Sequence, residues 1–430
     1  AAGENITTGD YNTAIGSSTL AAATTASNNT AVGALALTAN TTGHSNTAVG
    51  KDAFSTATTS IRSVAVGMNA LKLTTTGSSN TAVGYNALTS NTTGAELTAV
   101  GIYALSSNTT GVDNNAFGYS SLGSNTTGGY NSAYGNETLT DNVEGSSNMA
   151  FGEHALNSTT SSGNMGIGRN AATANTTGVR NIAIGHEAYE KSDAENDNMA
   201  IGYHTMNTNT AGGTKNIGIG NYALDSLTSG DNNTAVGYNA LTGVTTGGTN
   251  TAVGATTMQS VTSGGNNTAI GHVAANALVD GDNNTCLGFD ADVSATGVSN
   301  EITFGDGSVS ALRCNDQSIA ALSDGRDKTD VVDLPHGLDF INQTRPVRFK
   351  WDIRDGQPGQ GKQGTTNYGF IAQELLEIGN NKEHRLVYES NPDKLEARYS
   401  NLIPMMAKAI QELSAKVDAQ QSEIDALKNA

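Results

Sequence analysis

Ser323 and Lys328 are the residues of this 430-residue chain whose types and spacing could do covalent chemistry. They bracket the hexapeptide Ser-Asp-Gly-Arg-Asp-Lys. A Ser hydroxyl becomes a nucleophile once a neighbour accepts its proton, and a Lys amine can serve where burial keeps it neutral. A separation of five places the two on different faces of a straight helix, so a working pair requires a turn between them, for which Gly325 is suited. Asp324 and Arg326 complete the motif in a structural role. The competing reading is a charged surface turn, which the hexapeptide standing alone favours.

Other chemistry is sparse. Cys286 and Cys314 have neither metal-ligand spacing nor a disulfide framework, and Cys286 falls in a repeat column filled mostly by Ala, where a small buried residue is expected. Acidic clusters such as Asp280-Gly281-Asp282 do not recur in every repeat and miss the nonapeptide pattern of calcium-binding rolls. No carboxylate pair recurs at a fixed place, as glycosidase chemistry requires. The expectation is no cofactor and no metal.

The element that precedes the hexapeptide is a repeat. Aligned on the Gly that follows Ala-Val or Ala-Ile, residues 1–305 carry 18 anchors from Gly16 to Gly305, spaced by 17 residues except for one step of 16 and one of 18. Such regularity means a stack of like coils, each a strand and a turn, none able to bury its own apolar residues alone. At about 4.8 Å between strands, the stack is expected to be on the order of 85 Å long.

Within a coil the residue before the anchor is Val or Ile in 13 of 18 cases and otherwise aromatic or Leu, and the one before that is Ala in 14, so a bulky and a small column alternate. Strand alternation sends them to opposite faces. The bulky Val/Ile column is expected to fill the interior, and the Ala column to face the other side, where another chain can approach. Asn four residues before the anchor, present in 15 of 18 coils, is expected to form a side-chain ladder at the turn. The position just after the anchor varies and is therefore exposed. Tyr85, Tyr119, Tyr203 and Tyr238 there are candidate receptor contacts able to stack on sugar rings, although exposed strand edges also tolerate such residues without function.

Downstream of residues 306–322, a connector without the period, the rules change. Pro346 to Trp351 reads as a strand, Tyr368 to Leu375 passes from a strand into a helix, and Met406, Ile410, Leu413, Val417, Gln420, Ile424 and Leu427 follow the alternating steps of four and three of a coiled-coil seam over about 403–430.

The repeats resemble the heads of trimeric autotransporter adhesins and, more closely, the Asn-Thr-Ala-Val-Gly-type repeats of phage tail fibres. The order Ser-Asp-x-Arg-x-Lys, Pro-Val-x-Phe-x-Trp, Gly-Phe-Ile-Ala-Gln-Glu and a final coiled coil over 323–430 resembles the endosialidase-type intramolecular chaperone domain of phage tailspikes and fibres. That resemblance implies homotrimers, assisted folding of the upstream β-structure, and autoproteolysis of the Leu322–Ser323 bond with Ser323 as nucleophile and Lys328 as its base. The expected fold is therefore mainly β: a trimeric β-roll or solenoid, then a small α+β domain ending in a coiled coil. No other enzyme activity is expected.

Charge excludes several partners. Residues 1–305 hold 7 basic and 21 acidic residues and the remainder 15 and 19, so neither part offers the basic surface that nucleic acid or anionic membranes require. No apolar run is long enough to span a bilayer. The tail-fibre resemblance implies a virion protein made in the host cytoplasm that binds a host cell-surface receptor such as a glycan. A bacterial trimeric surface adhesin is the alternative, although that class closes with a membrane β-barrel rather than a coiled coil.

Overall fold

A computed structural model describes residues 2–208, 212–309, 312–313, 323–350, 364, 366–378, 381–389 and 395–429. Leu322, Cys314 and Trp351 lie outside the described residues. The chain divides into two compact units, Ala1–Thr303 and Phe304–Ala430.

The first unit is a parallel β-solenoid. Eighteen three-residue strands, β1 (Thr13–Ile15) to β18 (Ile302–Phe304), form one sheet in which successive coils pair in register, as in Thr234↔Thr251, Ala235↔Ala252 and Val236↔Val253. The rest of each coil also stacks on its neighbours. Backbone N–H groups in the bend after each strand alternate between the coil before and the coil after: Leu35 donates to the Ser17 carbonyl (2.9 Å) and Leu37 to that of Ala53 (3.1 Å). That alternation requires left-handed residues at every other position, so Leu35 and Leu37 have φ of 62° and 48°, as do their counterparts along the stack. A left-handed residue other than Gly costs about 1–2 kcal/mol, which the buried side chain and the inter-coil hydrogen bonds offset.

The anchor Gly marks a close approach between coils. Gly237 has φ of 143°, and a Cβ there would sit 2.3 Å from the Gly254 carbonyl oxygen of the next coil. Repetition of the residue at every coil follows from this contact.

The two strand columns are placed opposite to the expectation. From Ala31 to Cys286 the Ala column is buried, whereas the Val/Ile column is half-buried to exposed, with Ile270 46% and Phe151 59% accessible. Interior width is the reason. A Cβ added at Gly166, which occupies the Ala column, would lie only 2.9 Å from Leu156 Cγ and 3.1 Å from the Ala171 carbonyl oxygen. The Leu four residues past the anchor already fills the lumen, so the strand side admits only small residues: Ala or Gly in most coils, Cys286 in one and Thr303 in the last. Enlarging Ala235 or Ala252 is thus a lesion in the coil itself, not in contacts with another chain. Cys286 takes the Ala position as expected, and burial pushes its thiol up to about 12, which keeps it protonated and inert.

The Asn ladder is present, but inside the coil. Asn29 Nδ2 donates to the Gly43 carbonyl (2.9 Å), and its Oδ1 accepts the backbone N–H of Asn46 (3.0 Å), a pattern repeated along the stack. A second ladder runs through the Asn of Asn-Thr-Thr-Gly: Asn108 to Asn91 (3.0 Å), Asn125 to Asn108 (2.9 Å) and Asn142 to Asn125 (3.0 Å). It stops at Thr159, whose hydroxyl donates instead to the Asn175 carbonyl (2.8 Å), and the buried Asn142 Oδ1 is left without a partner. Thr159→Asn restores a donor at that point, and an unsatisfied buried acceptor costs about 1–3 kcal/mol. The variant is expected to gain roughly 1 kcal/mol and to show slower amide exchange around Asn142 and Asn175; unchanged or faster exchange there would argue against the ladder as a stabilising element.

The second unit is α+β. β19 (Val347–Lys350) pairs antiparallel with β20 (Thr366–Gly369), which leads into α2 (Ala372–Ile378), as the sequence indicates. α3 (Asn381–His384) is followed by β21 (Val387–Tyr388), paired with β22 (Glu396–Ala397). α4 (Leu402–Asn429) packs its first turns against α1 (Leu338–Ile341) through a core of Phe340, Leu375, Leu386, Val387, Leu402 and Met405. Pro404 is tolerated because it lies in the first turn of α4, where its missing N–H breaks no bond. Beyond Ala409 the helix leaves the core, and the seam residues Met406, Ile410, Leu413, Val417, Ile424 and Leu427 are all exposed on the single chain.

Candidate active site

The hexapeptide folds as a single turn of 3-10 helix, Gly325–Asp327. Asp324 caps it: its carboxylate accepts the Arg326 N–H (2.9 Å) and also binds the Arg326 guanidinium, Nε to Oδ1 at 3.1 Å. The guanidinium beside Asp324 holds its carboxyl below the usual carboxylate range, and the carboxylate raises Arg326 in turn. Both are exposed, so the pair shapes the turn more than it stabilises the protein.

The turn brings Ser323 and Lys328 together. Lys328 Nζ donates to Ser323 Oγ at 2.6 Å, so the turn makes the contact that the spacing allowed. Gly325 contributes less than expected, since its φ is not left-handed and a Cβ there would meet open space. The turn, not a glycine conformation, closes the distance. Ser323 and Lys328 are both exposed on the single chain, and the carbonyl of Leu322 belongs to a residue outside the described set.

The same contact supports two proton arrangements. A charged ammonium donates to the hydroxyl; a neutral amine at the same distance accepts from it and leaves the oxygen nucleophilic.

On the solenoid, Tyr85, Tyr119, Tyr203 and Tyr238 are exposed, as expected for their column. They are not isolated. Tyr103 sits edge-on between Tyr85 (5.5 Å between centroids) and Tyr119 (6.3 Å), and Tyr222 between Tyr203 (5.4 Å) and Tyr238 (6.1 Å). Tyr103 and Tyr222 lie two residues past their anchors, a column the sequence reading overlooked. The left-handed residue at that position turns it outward beside the first column, and the recurrence of aromatics in both columns was the available signal.

A parallel β-solenoid of 17-residue coils, followed by an α+β unit that carries a Ser-Lys turn and closes in a long helix, defines the class of protein. Residues 323–384 match the family described as chaperone of endosialidase (peptidase S74), and the match begins at Ser323 itself. The C-terminal unit carries this chaperone domain, and its combination with a β-solenoid fits a protein of the phage tail fibre or tailspike type. No curated protein matches the chain.

Proposed function

We propose that the chain is the subunit of a phage tail fibre: three copies assemble through the C-terminal domain, the solenoids fold against one another as a shaft for host attachment, and the chaperone is then released by cleavage of the Leu322–Ser323 bond. The observation that carries this reading is the 2.6 Å Ser323–Lys328 contact at the first residue of the matched family segment.

The chemistry balances within the chain and one water. Ser323 Oγ attacks the Leu322 carbonyl carbon while Lys328 takes the hydroxyl proton; the Leu322–Ser323 C–N bond breaks as Lys328 returns that proton to the Ser323 nitrogen. Water then hydrolyses the ester, leaving a carboxylate on Leu322 and restoring the Ser323 hydroxyl. Nucleophile and scissile bond belong to adjacent residues, so no substrate groove is needed. Assembly that covers the exposed dyad favours the neutral amine, which couples the cut to completed folding.

Three copies are favoured by two exposed apolar surfaces. One is the α4 seam. The other is the outer face of the solenoid sheet, where the Val/Ile column runs beside a second column of Thr, Met and Ile. Of the 7 + 21 charged residues in 1–305, none lies in a strand. An uncharged strip with a half-buried to exposed Val/Ile column suits a surface that another chain covers. Exposed Tyr pairs on other columns remain available to a cell-surface receptor such as a glycan, in a virion protein made in the host cytoplasm.

The chaperone role is tested by expressing residues 1–322 alone beside the full chain. Long parallel stacks depend on non-local pairing and fold slowly with open edges, so the shortened chain is expected to aggregate or remain monomeric. Soluble, SDS-resistant trimers from it would remove the case for a chaperone.

A further inference from the structure

His336, Glu383 and His384 have no part in the dyad, and no spacing in the sequence joins them. The fold does. His336 enters α1, Glu383 and His384 end α3, and one ligand atom from each lies within 4.8 Å of the others. The two imidazole rings are 4.4 Å apart at 70°, and Phe340 packs on both, at 5.4 Å from each. The surrounding chain is fixed. Asn401 Nδ2 donates to the carbonyls of His384 (3.3 Å) and Arg385 (2.9 Å), while Glu412 of α4 accepts the N–H of Leu338 (2.8 Å) and holds the segment that carries His336. The three residues line an open cavity of about 300 Å³ together with Pro404 and Met405.

We propose that these three residues bind one transition-metal ion of the Zn²⁺ class. Two imidazole nitrogens and a carboxylate suit Zn²⁺, Co²⁺ or Ni²⁺, whereas Ca²⁺ and Mg²⁺ take oxygen ligands. A tetrahedral ion with ligands about 2.1 Å away holds them roughly 3.4 Å apart, so side-chain rotations at the cavity wall suffice. The fourth position falls to a water in the cavity. Bound there, the ion ties the segment entering α1 to the end of α3 and clips together the two ends of the small core.

The test uses the full chain, stripped with EDTA and titrated with ZnCl₂ by calorimetry and with Co²⁺ by visible absorption. One equivalent per chain is expected, with the d–d bands of four-coordinate Co²⁺. His336→Ala with His384→Ala should abolish that equivalent, and Glu383→Gln should weaken it about tenfold or more. The solenoid holds a second His/Glu group, His186, Glu187 and His204, in which both imidazoles already contact the Glu187 carboxylate; His186→Ala with His204→Ala should leave uptake unchanged. No uptake by the parent chain, or uptake lost only with the solenoid pair, overturns the proposal. Should the His336/His384 variant fail to fold, Glu383→Gln decides, because its side chain is exposed. An altered Co²⁺ spectrum then supports the site, and an unaltered one overturns it.

Discussion

Ser323→Ala and Lys328→Ala are each expected to leave the freshly expressed chain at its full 430 residues, whereas the parent chain separates into residues 1–322 and 323–430. Removing either member of a nucleophile–base pair costs on the order of a thousandfold or more in rate, so cleavage that completes during expression of the parent should be undetectable in the variants. Both should still assemble, since the dyad is exposed and makes no core contact. Lys328→Arg separates chemistry from charge. Arginine keeps the cation that a mere surface turn would use but cannot be deprotonated, so it cannot accept the hydroxyl proton. An Arg variant that cleaves like the parent would rule out Lys328 as the base, and a parent chain intact after assembly would rule out the dyad altogether. Mass spectrometry of the products reads every outcome.

The Ser323–Lys328 contact was legible because it is local: six residues of sequence hold both groups and the turn that joins them, whatever the rest of the chain does. Period, strand position and Asn ladder were legible for a similar reason, since a repeat of 17 must stack in register. The orientation of the strand was not. Alternation establishes that Val236 and Ala235 face opposite ways but is silent on which faces in. That choice is made by the lumen, and the lumen is set by Leu241 in a left-handed conformation (φ 51°) that single-residue preferences assign to Gly or Asn. Only the stacked neighbours, whose carbonyls accept the alternating N–H groups, make that conformation favourable. The same bend turned Tyr103 and Tyr222 outward, and for the same reason they were overlooked. His336 and His384 were invisible as a group because only the packing of α1, α3 and α4 brings them together.

Turning the Val/Ile column outward changes which substitutions should block assembly. From β9 (Met149–Phe151) to β13 (Ile217–Ile219) both outward columns are apolar: Met149, Phe151, Met165, Ile167, Ile182, Ile184, Met199, Ile201, Ile217 and Ile219. Ile184→Glu combined with Ile201→Glu places two carboxylates on this face in each chain, six in a trimer. Neither residue points into the lumen, so the coils themselves should form, with backbone spectra and amide exchange like the parent's. An uncompensated buried charge costs several kcal/mol, and a threefold assembly multiplies it, so the solenoids should splay apart or stay monomeric even while the C-terminal domains associate. Tyr238→Ala, on the exposed column after the anchor, should leave assembly intact. Sedimentation and protease resistance of the shaft distinguish the cases. Should the double Glu variant form trimers as compact and as resistant as the parent, the outer sheet face is not where the chains meet, and the exposed α4 seam alone must hold them.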